Sequence, residues 1–409
     1  MEPIILHADL NGFFASVELL THPELRDVPM AVAGDAEQRH GIILAKNEKA
    51  KAFGIQTAET IWQAKKKCPA LHLITPDLRK YQFYSKQARV IFCRLTDRVE
   101  PFGLDEAWLD VTGSTSLFGD GKTMADQLRR WTREELGLTC SVGVSFTKAF
   151  AKLGSDLHKP DATTVISRDN YRQLVWPLPV SQLLYVGATT AGQLNRIGIR
   201  TIGDLAACDE KMLRQWLGRS GGELWREASG LSDATVEQYA TPHPIKSIGN
   251  STTTAQDLSN AEQVKAVLYQ LSDQVAARVR AAGMKARTLQ ITIRDSAFVN
   301  IDRQTRLNPP TDLAADLAPA AMALFQKHYS WHRPVRNLGV RATDFVQEEE
   351  NRQVSLDDWQ KTDQERARQL LLEQTVDQLK RKFGSKKISR GLLFGRQTST
   401  DDESQEITE

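Results

Sequence analysis

Asp105 and Glu106 stand side by side ahead of an apolar, strand-like run, within Phe-Gly-Leu-Asp-Glu-Ala-Trp-Leu-Asp-Val at residues 102–111. Asp9 follows a second apolar run, Ile4-Ile5-Leu6, near the start of the chain. Carboxylates gathered at the ends of neighbouring strands suit magnesium, which prefers oxygen ligands and takes few of them from protein. An isolated acid pair reads first as a solvated turn. Acids are 51 of 409 residues, and roughly six adjacent pairs arise by chance in such a composition. The metal reading therefore depends on elements that bring the three acids together.

Those elements are legible. Residues 3–9, 107–111, 140–145 and 163–166 read as strands, and 122–136 and 147–157 as helices. Strands interleaved with helices indicate an α+β or α/β sheet domain. Residues 35–70 read as a helical, basic insertion into it, carrying Lys46, Lys49, Lys51, Lys65, Lys66 and Lys67 and broken at Gly54 and Pro69. Pro177 and Pro179 mark a boundary, followed by a helical stretch from Leu183 to Leu231. There Val186-Gly187 and Gly198-Ile199 bracket one short helix, and Thr201 to Leu205 opens the next. A helix-hairpin-helix of this kind lets backbone N–H groups approach a phosphate at Gly187, although a plain helix–helix turn has the same glycines.

Residues 232–243 read as a linker. Beyond them a strand near 245–254, a helix of about 20 residues from Ala261, strands at 287–294 and 297–303, a helix near 312–328 and a strand at 337–345 form a β-α-β-β-α-β order. Alternation buries Leu289, Ile291 and Ile293, and turns Gln290, Thr292 and Arg294 outward. The last strand buries Leu338 and Val340 and exposes Arg341 and Thr343. Such a face can meet a phosphate backbone without reading sequence.

The bulk properties are those of a soluble multidomain protein. Hydrophobic residues make up 41 % and charged residues 25 %. No run approaches the ~18 apolar residues of a membrane span. The four scattered cysteines, Cys68, Cys93, Cys140 and Cys208, suggest reduced thiols and a cytoplasmic setting. The net charge is only +2, yet residues 241–345 hold 13 Lys+Arg against 8 Asp+Glu, and the last nine residues hold five acids. Any nucleic-acid footprint is therefore local. The charged stretch from 346 reads as a tail with a tethered recognition function, interrupted by one amphipathic helix carrying Leu372, Val376, Leu379 and Phe383.

His-Ala-Asp-Leu-Asn-Gly-Phe-Phe-Ala-Ser-Val-Glu at 7–18 and Gly-Leu-Asp-Glu-Ala-Trp-Leu-Asp at 103–110 resemble the Y-family DNA polymerases of the DinB (polymerase IV) type. Ser141-Val142-Gly143-Val144-Ser145, Phe150-Ala151-Lys152, His158-Lys159-Pro160, the hairpin at 186–205 and Lys246 to Ser251 fit in the same order. The resemblance spans about residues 4–345. It implies an α+β right-hand polymerase: an α/β palm at 1–18 and 77–166, small helical fingers at 19–76, and a helix-hairpin-helix thumb at 167–232. A linker at 233–243, a little finger at 244–345 and a charged tail at 346–409 would complete it. It also implies two magnesium ions per site, held by Asp9, Asp105, Glu106 and the backbone carbonyl of Leu10.

By the same resemblance Phe14 is a steric gate against a 2′-hydroxyl. Phe13 packs as core beside it and is grouped with Lys51 and Lys159 as nucleotide-binding. Gly187, Lys246, Arg294 and Arg341 are the expected DNA contacts. Gln353, Leu356 and Trp359 match a sliding-clamp-binding peptide, loosened by two acids before Trp359; a plain linker is the alternative. The implied partners are primer-template DNA, deoxynucleoside triphosphates and the clamp, with a monomeric chain and no membrane.

The fingers depart from the family pattern. Glu48-Lys49-Ala50-Lys51 replaces the usual Tyr-Glu-Ala-Arg, so Lys51 keeps the charge but not the planar fork. Asn11 replaces an aspartate, and Gly103 a serine or similar residue. Two other classes compete with a translesion polymerase lacking proofreading. A non-catalytic recruiter of the same family has no need of three acids, and a palm-fold nucleotide cyclase has no use for the hairpin and basic sheet.

Overall fold

The computed structural model describes residues 2–35, 39, 41–233, 235–346, 359–384, 387–388 and 391, with backbone alone for 359–363. The chain divides into two units, Met1–Gly34 with Ile42–Pro242, and Asp35–Gly41 with His243–Glu409.

In the first unit the strands are β1 (Ile5–Leu10), β2 (Met30–Ala33), β3 (Ile43–Lys46), β4 (His72–Ile74), β5 (Val99–Pro101), β6 (Glu106–Asp110), β7 (Cys140–Ser145) and β8 (Thr163–Val165). One sheet has the order β5-β6-β1-β7-β8. β1 is buried throughout and antiparallel to both β6 and β7. Alternation splits its side chains between two layers. Leu6, Ala8 and Leu10 join the core with Ala88, Ile91, Met124 and Leu128, from the helices Leu78–Phe92 and Gly121–Leu136. Ile5 packs with Trp108 and Ala151 on the other layer, under the helix Lys148–Leu157. That helix lies close because β7 has a glycine at the crossing. A Cβ on Gly143 would collide with the Ala151 carbonyl oxygen and Ser155 N.

The strands and helices expected around the acids are present. The stretch 35–70 is not simply helical. Its Ile43–Lys46 segment is β3, in a second sheet of order β3-β2-β4, and among the described residues of the stretch helix is confined to Glu48–Ala52 and Ile61–Lys67. Buried Met30, Val32 and Ile43 show why: a short apolar run found a partner strand, and pairing overrode the lysine-rich surroundings.

The helical stretch after Pro179 shares a core with the helix Lys148–Leu157: Val180, Leu194, Ile202, Leu205, Leu213 and Leu224 are buried together with Phe146, Phe150 and Leu153. Gly187 N-caps the helix Ala188–Arg196 and is exposed. Thr201 and Asp204 form a reciprocal capping box on the helix Ile202–Ala206.

In the second unit, β9 (Ser247–Leu258), β10 (Lys285–Asp295), β11 (Asn300–Thr311) and β12 (Val335–Val346) form an antiparallel sheet of order β11-β10-β12-β9. The helices Ala261–Ala281 and Ala314–His328 complete the expected β-α-β-β-α-β order. Leu289, Ile291, Ile293, Leu338 and Val340 are buried against them.

The helix expected in the tail is present as Trp359–Phe383 and is anchored to this unit by polar groups. Arg280 donates to Glu373 Oε2 at 2.6 Å and to Asp377 Oδ2 at 2.9 Å. Glu373 also accepts from the N–H groups of Ala314 and Ala315, at 2.9 and 3.1 Å, and so caps the helix Ala314–His328. Leu372, Leu379 and Phe383 remain exposed. The unpaired N–H groups of a helix start and a buried guanidinium outrank an apolar stripe in choosing the docking face. Among the described residues no helix is long and apolar enough to cross a membrane.

Candidate active site and DNA-binding faces

Strand register makes the first part of the site. Asp9 is opposite Glu106 across β1–β6, with His7 opposite Trp108 one step behind. His7, Asp9 and Glu106 bring three ligand atoms within 4.8 Å of one another. Asp105 joins from the turn before β6, its carbonyl oxygen accepting from Leu10 N at 2.9 Å, which sets the Leu10 backbone beside it. The turn is held by the neighbouring helix: Ser85 Oγ donates to the Leu104 carbonyl, and Arg89 Nη2 to the Gly103 carbonyl at 2.8 Å. Gly103 has φ of 85°, a conformation that any other L-residue adopts under strain. The departure at Gly103 thus belongs to this turn.

Two lysines face the acids. Lys152 Nζ lies 2.5 Å from Glu106 Oε2 and 3.1 Å from Asp9 Oδ2. Lys159 Nζ lies 2.8 Å from the same Asp9 oxygen. Burial opposes both ammonium charges, but Asp9 and its neighbours outweigh it and push both lysines above their ordinary pKa. Burial, followed by the charges of Asp9 and Glu106, raises the Asp105 carboxyl to about 6. For Glu106 burial is outweighed by His7 and Lys152, which hold it down at about 2. Adjacent carboxylates are thereby pushed apart, the pattern of a functional site.

The donor set fits a hard divalent cation. Asp9, Asp105 and Glu106 offer oxygens of the kind such ions select. Ser155 Oγ donates to the Lys152 carbonyl at 2.8 Å, so the His7 ring donates from Nδ1 to Ser155 Oγ, also at 2.8 Å. The buried Nε2 atom lies 3.4 Å from Glu106 Oε2 and makes no hydrogen bond. Burial lowers the His7 pKa. A buried polar atom without a partner beside carboxylates is a poor arrangement unless a cation shares the space.

Phe14 stacks on Tyr81 at 4.1 Å between centroids and 12° between planes. The Tyr81 hydroxyl donates to buried Glu18 at 2.7 Å, and Lys80 holds the other Glu18 oxygen at 2.6 Å. The ring of Phe14 is therefore seated on a fixed platform. Phe13 is only 3 % exposed, in the core, so its side chain is not a nucleotide contact. Asn11 Nδ2 donates to Ser141 Oγ at 2.9 Å and its Oδ1 accepts from Asp161 N at 2.8 Å. It thereby ties down the loop that carries Lys159.

In the helix Glu48–Ala52 Lys51 is paired with Glu48 at 3.3 Å on the surface. Lys51 and Lys46 line one cavity of about 500 Å³ with Gly54, Ile55, Gln56 and Thr57. Lys46 Nζ donates to Thr57 Oγ1 at 3.2 Å, and burial together with the Lys51 charge lowers its pKa. Glu48 thus meets a lysine on its own helix, and Lys46 supplies a second positive group.

Lys246, Arg294 and Arg341 are exposed on the second unit. Arg341 is opposite Gln290 and Gly249 in register, and Arg294 opposite Asn300, whose Oδ1 accepts from Arg294 Nε at 2.6 Å. Arg306, opposite Thr288, is exposed on the same face and went unnoticed in the alternation. Gln353 and Leu356 lie outside the described residues, as does the side chain of Trp359.

Sequence reasoning also missed His7, Tyr81, Lys152 and Asp156 as parts of the site. His7 had a signal, since it lies two residues before Asp9 on a strand. Glu18, an acid four residues after Phe14 in an apolar helix, called for partners, but nothing local named Tyr81.

Residues 8–156 match the impB/mucB/samB family, and residues 245–356 match its C-terminal domain. The chain belongs to the impB/mucB/samB family. DNA polymerase IV of Acetivibrio thermocellus is 47 % identical over 394 residues, covering 96 % of this chain and 98 % of that protein. DNA polymerase IV 1 of Bacillus subtilis is 35 % identical over 397 residues, covering 97 % and 94 %. A solved Y-family DNA polymerase chimera has the same fold, with TM-score 0.74 at 20 % identity over 84 % of this chain and 99 % of the chimera. This family member is a DNA-directed DNA polymerase, similar to DNA polymerase IV and with the fold of the solved Y-family chimera.

Proposed function

We propose that the chain is a template-directed translesion polymerase without proofreading that adds deoxynucleotides to a primer 3′-hydroxyl with two magnesium ions. The observation that carries the reading is the register placing Asp9 opposite Glu106, with Asp105 at the head of the same strand. Ions held by these acids and the Leu10 carbonyl would activate the hydroxyl and offset charge on the triphosphate. The chain's own residues do the rest. Phe14, seated on Tyr81, closes the space beneath the sugar against a 2′-hydroxyl. Lys159, Lys51 and Lys46 hold the triphosphate as point charges in place of a bidentate arginine. Gly187 and its hairpin meet phosphates on one part of the duplex, and Lys246, Arg294, Arg306 and Arg341 meet phosphates from the sheet face.

On this reading residues 1–18 and 77–166 are the palm, 19–76 the fingers, 167–232 the thumb and 244–345 the little finger. The chain works as a cytoplasmic monomer, and the tail peptide from Gln353 engages a sliding clamp. Primer extension by the purified chain with magnesium and single deoxynucleotides tests the core of the proposal. Asp105→Ala is expected to abolish extension. Extension that survives the substitution removes the metal assignment. No extension by the wild type on any primer-template favours a recruiting role.

A further inference from the structure

We propose that Lys152 is a built-in competitor for the cation site, and that Asp156 is the carboxylate that draws it off. The inference rests on the metal-dependent reading above and deepens it. Asp9 Oδ2 accepts from both Lys152 and Lys159, at 3.1 and 2.8 Å, and Glu106 Oε2 accepts from Lys152 at 2.5 Å. These are oxygens that a divalent cation needs. A cation entering among them meets an ammonium at the same atoms, and the two compete.

Lys152 cannot leave by moving its backbone. Its helix lies against β7 at Gly143, and its carbonyl is bonded by Ser155 Oγ. Only the side chain can swing, and one acceptor stands ready. Asp156, one helical turn on, lies 3.4 Å from Lys152 Nζ through Oδ2 and 2.8 Å from Lys159 Nζ through Oδ1. Its side chain is 46 % exposed, against 10 % for Asp9. Retiring toward Asp156 therefore carries the ammonium toward water, where a charge is cheaply solvated. The same movement carries one positive group away from the acids to a place where a polyphosphate can share it. Cation binding and triphosphate binding are then linked through one set of side chains, and such linkage is reciprocal.

The test is Mn2+ binding to the full chain, without DNA or nucleotide, read as loss of the free-ion signal in electron paramagnetic resonance. Lys152→Met is expected to tighten binding about ten- to a hundredfold, the range for removing one charge at this distance in a partly solvated site. Lys152→Gln, which keeps a donor without the charge, should do the same and serves if the methionine variant fails to fold. Asp156→Asn should weaken binding about threefold or more in the wild type, and that effect should shrink in the Lys152→Met background. Unchanged or weaker binding in both Lys152 variants overturns the competitor. An Asp156→Asn effect of equal size in both backgrounds overturns the receiving role. Wild-type binding that ignores Asp9→Ala sinks the metal reading itself, an outcome distinct from either.

Discussion

Glu373→Ala should loosen the second unit, although residue 373 lies beyond the family's C-terminal match at 245–356. Glu373 is 6 % exposed, caps the helix Ala314–His328 through two N–H groups, and shares Arg280 with Asp377. Losing a cap costs about 1 kcal/mol. Losing one charged hydrogen bond from a buried guanidinium that keeps its other partner costs about 2 kcal/mol. The total of about 3 kcal/mol corresponds to a fall of roughly 6–12 °C in the transition of a unit this size. Thermal unfolding of the full chain reads the shift, and hydrogen exchange at Ala314 and Ala315 reads it locally. Glu373→Gln keeps an acceptor without the charge and should give about half the effect. A shift below about 1 °C with unchanged exchange at both amides would show that the helix Trp359–Phe383 does not dock as described.

Other substitutions separate the remaining parts. The Asp105 carboxyl sits at about 6 against 3.8 ordinarily, so between these values the folded chain binds the extra proton and stability falls as pH rises. In chelator-treated buffer Asp105→Asn should therefore raise the melting temperature at pH 7 but not at pH 4; equal effects at both would refute the buried-acid account. Phe14→Ala should admit ribonucleotides, and Tyr81→Leu, which removes the platform and leaves Glu18 with Lys80, should do so partly. Unchanged sugar selection in both would place the gate elsewhere. Arg294→Ala, Arg306→Ala and Arg341→Ala should each weaken primer-template binding regardless of sequence and lower the salt slope by about 1. A change confined to one template sequence would refute phosphate contact.

Much of the fold was legible because periodicity reports burial directly. The alternation in Leu289, Ile291 and Ile293, and the glycine-bracketed helix at 188–196, needed no distant partner to be read. β3 was misread because its pairing with β2 is a long-range fact that four residues cannot announce. The docking face of the tail helix was not legible for a related reason. Its apolar stripe was visible, but Arg280 and the open N-terminus at Ala314, which choose its docking face, lie far away in sequence.

The site divides in the same way. Residue types and spacing offered Asp9, Asp105 and Glu106 as candidates against a solvated turn, and the family resemblance gave them their expected role. Phe14 and Lys159 came from motif order. What only tertiary structure decided is how the acids are balanced. Lys152, Lys159 and His7 reach them across strands and a packed helix; burial raises Asp105, while His7 and Lys152 hold Glu106 down against burial. Electrostatic balance depends on distance and on water excluded by neighbours, and neither quantity is written in the order of residues.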